Sequence, residues 1–427
     1  MVSSLSTRNY RYFFFGQIVS MSGTWMQTVA QSILVLQLTH SGSILGATIA
    51  ARFAPMLVLG PWGGLVADRL SKRRILYVTQ TLSGLVALAF GLLVGTHQIT
   101  LWMIYLLALG LGFVNVFDNP ARQALISELV PPEQLRNAVT LNSVTANMAR
   151  VIGAAGGGGI AAVLGLALCF DLNAVSFGAV LISLVAMGPA ATRAPARRPH
   201  WKGELRAGFA HVRSHHELLI PLIMVAVVGT LAWEFQVSLP LIATITFHGG
   251  AGTYGLMTAF MGAGAIVGGL VSASRSTSRW NSLAIAAVGW GIAITVAALA
   301  PGLTIEYVSL LFVGYGSITF NSLAKTTLQL AASPAMRGRV MALWALAWQG
   351  STPVGGPIVG WVGQIAGPRW GLLIGGLPTI AMGLLAFRLL RPSHRGKAGA
   401  PAALSSVRES RTLTDVVPPG TAQDGSS

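Results

Sequence analysis

The sequence predicts an all-α integral membrane protein, with twelve transmembrane helices in two pseudo-symmetric six-helix halves. Three observations carry this. Apolar residues make up 53% of the 427-residue chain and charged residues only 9%, where soluble domains carry about 25% charged residues. Apolar runs long enough to cross a bilayer recur along the whole chain. The cations collect on one side of those runs. The same numbers exclude an ordinary soluble domain, and they exclude disorder, which needs low hydrophobicity. The formal net charge of +16 suggests a nucleic-acid partner only until the charges are located. Cys169 is the single cysteine, so no internal disulfide is possible.

A hydrocarbon core about 30 Å thick needs about 20 helical residues. Runs of that kind, separated by polar or turn residues, fall at 13–38, 44–67, 75–95, 100–117, 137–164 and 167–188. A second set falls at 218–246, 251–273, 281–300, 303–325, 338–365 and 370–390. The first run follows Arg8 and Arg11. It is too long for a signal peptide, and further spans follow it at once. With the N-terminus placed in the cytoplasm, every cation falls on the inner side except Arg369 in an outer loop and Arg52 and Arg150 within spans. Cytoplasmic loops of membrane proteins carry such an excess of Lys and Arg. Both termini are therefore expected inside, and the charge carries no message about nucleic acid.

The chain divides as 1–188, 189–217, 218–391 and 392–427: a six-helix half, a cytoplasmic linker, a second six-helix half and a disordered cytoplasmic tail. In the linker, Trp201, Leu205, Phe209 and Val212 share one helical face. That pattern suits either a helix on the inner membrane surface or a plain connecting helix. The halves echo each other. Gly63-Gly64-Leu65-Val66 returns as Gly268-Gly269-Leu270-Val271, and Leu135-Arg136-Asn137-Ala138-Val139 as Met336-Arg337-Gly338-Arg339-Val340. Asn119 and Asn321 stand at the ends of spans four and ten. The offsets are about 201 to 205 residues. Duplicated halves are a transporter design, with the substrate site between them near the bilayer midplane.

Between spans two and three stands Gly64-Leu65-Val66-Ala67-Asp68-Arg69-Leu70-Ser71-Lys72-Arg73-Arg74. This resembles the signature loop of the major facilitator superfamily, Gly-x-x-x-Asp-Arg-x-x-Arg/Lys-Arg/Lys, with Ser71 where the family often has Gly. The segments Gly16-Gln17, Gly23-Thr24-Trp25-Met26-Gln27, Leu38-Thr39-His40-Ser41, Asn119-Pro120-Ala121-Arg122-Gln123 and Arg337-Gly338-Arg339-Val340-Met341 are similar to a bacterial branch of drug and secretion effluxers that includes the enterobactin exporter. The resemblance implies a secondary transporter in the bacterial inner membrane that works by alternating access. It also implies that Asp68 latches the two halves on the cytoplasmic side, near the start of span eleven at about Gly338, and that opening inward breaks the latch. Arg69, Lys72, Arg73 and Arg74 complete the loop, and Gly64 is expected to let helices pack closely. A pure topology signal would need only the cations. The second-half copy has Ala273 and Ser274 in place of Asp68 and Arg69, so no matching acidic latch is expected there.

A charge at the bilayer centre costs about 2.5–3.5 kcal/mol on insertion scales. Each one should therefore face protein or a wet cavity. Arg52, Arg150, Asp171 and Glu234 stand out. Glu234, flanked by Trp233 and Gln236, is the candidate proton carrier; the alternative is a structural ion pair. Arg52 and Arg150 could bind an anionic group of the cargo or pair with acids. Asp171 reads as a helix-start or interface residue, and Glu306 as a solvated carboxylate at the outer interface. Gln27, Gln31, Asn115, Asn147, Trp344, Trp348 and Gln349 are candidate cavity residues. Trp344 and Trp348, four apart, share a helix face and could stack on cargo or simply pack.

The glycine run at 156–159 lacks the Lys-Ser/Thr of a phosphate loop. The eight histidines fall in predicted loops or tails, so no haem or zinc site is expected, and no cofactor. No nucleophile elbow or carboxylate cluster is present for catalysis. The expectation is a proton-coupled exporter of a small amphiphilic molecule, a siderophore or drug, acting as a monomer in the lipid bilayer. Import or facilitated passage of a metabolite is the alternative, and an integral-membrane enzyme is the rival from another class.

Overall fold

In the computed structural model, residues 3–187, 204–274, 280–334 and 336–389 are described. After a 3₁₀ turn at Ser3–Ser6, six long helices follow: α1 (Arg8–Thr39), α2 (Gly42–Arg69), α3 (Lys72–Gly95), α4 (Leu101–Leu129), α5 (Pro132–Leu164) and α6 (Leu166–Ala186). A short helix α7 (Glu204–Arg213) leads into α8 (His216–Leu231) and α9 (Phe235–Leu241), the latter continued by a π-helical turn at Ile242–Thr246. Then come α10 (Ala251–Ser274), α11 (Trp280–Ala298), α12 (Leu303–Ala331), α13 (Arg337–Gln349), α14 (Thr352–Ile365) and α15 (Pro368–Leu389). The expected tail and most of the expected linker, Trp201 included, lie outside the described residues, as does the side chain of Leu205.

Ten of these segments are long and apolar enough to cross a membrane. Two further crossings complete the set. Helix α1 is 32 residues long but dilutes its apolar content with Gln17, Ser20, Gln27, Gln31 and Ser32, all buried against other helices. The eleventh crossing is shared by α13 and α14, each too short alone. Successive helices alternate in direction, so the loops gather at two ends. One end holds the signature loop; the other holds the turns near 40, 165, 248 and 367.

Turn chemistry sets the tightest corners. Gly165 is the single residue between α5 and α6 and has φ +90°; Gly367, between α14 and α15, has φ +104°. Residues with a Cβ rarely adopt such values. These two corners are 202 residues apart, and so are α4 and α12, each of 29 residues.

Helix α4 extends well beyond the sequence expectation. Pro120 does not end it: the helix continues to Leu129, because neighbouring helices can re-satisfy the groups that a proline frees. Arg122 and Asn119 therefore lie within a helix, where the sequence suggested a loop and a helix end. Asn321 likewise lies inside α12. Gly64 is also corrected, since nothing lies within 4 Å of where its Cβ would be. Its neighbour Gly63 makes the close approach, against the backbone of Val116 in α4.

The two sets of helices meet most tightly at the end opposite the signature loop. There α2 runs against α14, and a Cβ on Gly46 would fall on the backbone of Gly356. Gly42 and Gly360 repeat this one turn further along, and the Gln364 amide oxygen accepts from the Gly42 amide. On the other side α5 meets α10 in the same manner through Gly158 and Gly255. A core of Leu36, Leu45, Val237, Leu241 and Val359 closes this end. Toward the signature loop, α2 meets α13 sparsely, with Leu57 beside Gly350. Val58 and Trp62 are largely exposed there.

Candidate functional site

Midway along the molecule, two crossings break at the same level. Helix α8 stops at Leu231 and α9 starts at Phe235, with Glu234 as the residue that caps α9. Helix α13 stops at Gln349 and α14 starts at Thr352. The two breaks face each other. The Thr352 side chain hydrogen-bonds the Glu234 carboxylate, and Gly355 and Gly356 leave room for it beside the first turn of α14. A helix N-terminus carries partial positive charge, which favours a carboxylate there. Glu234 is 3% exposed and its Oε1 has no hydrogen-bond partner.

This carboxylate lines a cavity of about 200 Å³. Its walls include Trp25, Phe53, Arg150, Trp233, Gln236 and Tyr254, contributed by α1, α2, α5, the broken crossing and α10. The Arg150 guanidinium lies 4.7 Å from the ring centre of Trp25, a cation–π contact. Its Nε has no hydrogen-bond partner, nor has Oε1 of Gln236. Trp25 also walls a second cavity of about 140 Å³, which holds Arg52, Gln27, Asn115 and Asp118. Arg52 donates to the Thr28 hydroxyl at 3.3 Å. Among the described residues, no carboxylate oxygen lies within 4.0 Å of either arginine or any other cation of this site except Arg122.

The exception is a cluster that sequence reasoning missed. Asp118, 4% exposed in α4, accepts from Thr79 Oγ1 at 2.8 Å and Gln80 Nε2 at 2.7 Å, and pairs with Arg122 at 3.5 Å. Arg122 also reaches Gln17 and Asn119. Ending span four at 117 hid this pair, because it placed Arg122 beyond the span on the inner side. The i,i+4 spacing of Asp118 and Arg122 was the available signal.

The other expected residues scatter. Asn173 donates to Gln27. Gln31 is buried with an unpartnered Oε1. Asn147 turns back onto the Ser143 carbonyl at 3.0 Å. Asp171, in the second turn of α6, packs over Gly91 of α3. Trp348 is buried in an aromatic group with Trp233 and Phe320, its ring centre 4.6 Å from that of Trp233. Trp344 instead sits under Lys325. The side chain of Gln349 lies outside the described residues. Glu306 departs from the solvated carboxylate expected. It is fully buried, with both oxygens lacking hydrogen-bond partners and the Arg369 charge in reach.

In the signature loop, Lys72 is not a free surface cation. It is buried and paired with Glu128 at the end of α4 at 3.1 Å. Arg73 lies over the Tyr77 ring, while Arg69 and Arg74 are exposed. Asp68 is exposed, with no hydrogen-bond or ion-pair partner among the described residues, and nothing approaches the Cβ position of Gly338. The contact between Asp68 and the start of α13 is not made in this conformation.

Twelve helical crossings in two repeated sets, with a polar cavity where broken helices meet, define a membrane transporter of the major facilitator type. Solved transporters share this fold. The nucleoside transporter NupG superimposes with TM-score 0.72 at 15% identity, over 90% of this chain and 100% of that one. A bacterial homolog of the human lysosomal transporter Spinster, in an inward-facing and occupied conformation, superimposes with TM-score 0.69 at 14% identity, over 89% and 96%. The chain belongs to the transmembrane secretion effector family, whose model matches residues 1–409. Its relatives include the enterobactin exporter EntS of Citrobacter koseri, 28% identical over 92% of this chain and 94% of that protein. EntS of a Shigella boydii strain is 26% identical over 93% and 95%. The chain is thus a multi-pass membrane transporter and not an enzyme.

Proposed function

We propose that the chain exports a small amphiphilic molecule, of siderophore or drug type, from the bacterial cytoplasm across the inner membrane, by proton antiport and alternating access. The observation that carries this is Glu234: a carboxylate without an ionic partner, buried where two broken helices meet, on the wall of the central cavity. A carboxyl in that setting can take up a proton from one side and release it to the other as the surrounding helices rearrange. Relatedness to the enterobactin exporters supports outward direction and an amphiphilic cargo. Residues 1–188 and 218–391 are the two moving halves, joined by 189–217, and the protein works as a monomer.

In this reading both termini and the signature loop face the cytoplasm. The glycine pairs of α2 with α14 and of α5 with α10 then form the closed outer gate. The free Asp68 carboxylate corresponds to an unlatched inner gate, the state that loads cargo for export.

The test is transport into inside-out proteoliposomes with an imposed pH gradient, using fluorescent drugs and a catecholate siderophore as cargo. Uphill accumulation that collapses with an uncoupler supports the proposal. Accumulation equal to that of empty liposomes, with and without the gradient, contradicts it.

A further inference from the structure

The two cavities that share Trp25 hold two arginines without an acid in ion-pairing distance, Arg150 in one and Arg52 in the other. Arg150 stacks on Trp25 and leaves Nε unsatisfied. Arg52 is held by the Thr28 hydroxyl. Buried Tyr254, on the wall of the Arg150 cavity, lies within the field of both. Asp118 lines the Arg52 cavity but is already engaged by Arg122, Thr79 and Gln80. Glu234 lines the Arg150 cavity without reaching ion-pairing distance.

A guanidinium stays protonated in a protein. Placed out of bulk water, it requires a counter-charge or a full set of hydrogen bonds. Among the described residues, neither arginine has a carboxylate within 4.0 Å. A planar guanidinium presents paired N–H donors that match a carboxylate or phosphate and stacks on aromatic planes. Trp25, shared by both cavities, and Trp233 and Phe53 supply flat apolar walls beside those donors.

We infer that Arg52 and Arg150, in adjoining cavities that share Trp25, form an anion-recognition site, and that the cargo is an aromatic anion whose acidic group is held by the arginines while its ring lies against the tryptophan. This rests on the transport reading above and names the chemical class of its cargo.

The test is equilibrium binding to the full-length chain in detergent, with no gradient. Radiolabelled salicylate is the probe. Unlabelled salicylate, phenyl phosphate, neutral salicylamide and cationic benzyltrimethylammonium are the competitors. The two anions should compete at least about tenfold better than the neutral and cationic compounds. Arg52→Gln and Arg150→Gln should each weaken salicylate about tenfold, while both Lys replacements keep the preference for anions and the exposed Arg8→Gln changes nothing. Equal competition by salicylamide and the anions overturns the site, and so does native-like salicylate binding in both Gln variants. If the Gln variants do not fold, the competitor order in the native chain and the Lys variants decides. Loss of anion preference alongside intact dye export counts against this site alone. Anion binding without any export counts against the proposed function alone.

Discussion

Two groups of charge line cavities that share Trp25 and are treated in opposite ways. Asp118 and Arg122 are partnered: each has its opposite charge, and side chains of α1, α3 and α4 add hydrogen bonds. Arg52, Arg150 and Glu234 line cavities without an ion-pair partner among the described residues, and Arg150 Nε and Glu234 Oε1 lack hydrogen bonds as well. A satisfied cluster has nothing left to offer a ligand and serves to hold helices together. An unsatisfied one is stable only because protons, water or cargo can complete it. The paired charges stand together in α4, whereas the others stand apart in α2, α5 and at the start of α9.

Disrupting the satisfied cluster should have the largest effect on stability. Asp118→Leu leaves Arg122 without its acid and orphans Thr79 and Gln80. Breaking a buried pair costs about 3–5 kcal/mol, so the variant should melt well below the native chain in detergent or fail to accumulate. A melting temperature equal to the native one would show that the cluster holds nothing. Next comes the gate. Gly46→Leu forces a side chain into the backbone of Gly356, and overpacking costs about 1–3 kcal/mol. In the proposed cycle that contact is the outer gate, so transport should be lost while the chain still inserts and folds. Retained transport would separate the glycine contact from gating.

The charge of the cargo gives a third test. Moving one charge through 100 mV is worth about 2.3 kcal/mol. If the arginine pair carries an anion out, a potassium–valinomycin potential that is negative on the loading side should accelerate export even without a pH gradient. An unchanged rate would argue that the site moves no net charge. The smallest effect on stability is expected at the exposed Asp68. Asp68→Asn removes no contact present in this conformation, so unfolding should shift by no more than about 0.5 kcal/mol. If Asp68 latches the inner gate as the signature loop implies, transport should nevertheless slow. Cysteine cross-linking between α2 and α13 would register that loss directly.

The sequence exposed the spans because each is a long apolar run with polar punctuation, and it exposed the duplicated plan because Gly63–Val66 and Gly268–Val271 stand in corresponding helices. What it concealed is how segments interact across distance. Span four looked finished at 117, where the apolar run gives way to polar residues, yet packing carries α4 on to Leu129. Lys72 looked like a topology charge until α4 brought Glu128 to it. Glu306 looked solvated because it opens a helix at a membrane edge, yet its neighbours bury it completely. Glu234 stood out as a rare charge in an apolar run, but the break that caps it at the start of α9 depends on Thr352 and Gly355 more than a hundred residues away. The pairing of Arg150 with Trp25 is of the same kind.

The central claim is that Glu234 carries the coupling proton without holding the fold. Reconstituted Glu234→Gln should fold and melt within about 1 kcal/mol of the native chain, since no ion pair is removed. It should exchange labelled for unlabelled cargo across the membrane at a native-like rate and fail to accumulate cargo against its gradient when a pH difference is imposed. Uphill, pH-driven accumulation by this variant would contradict the account.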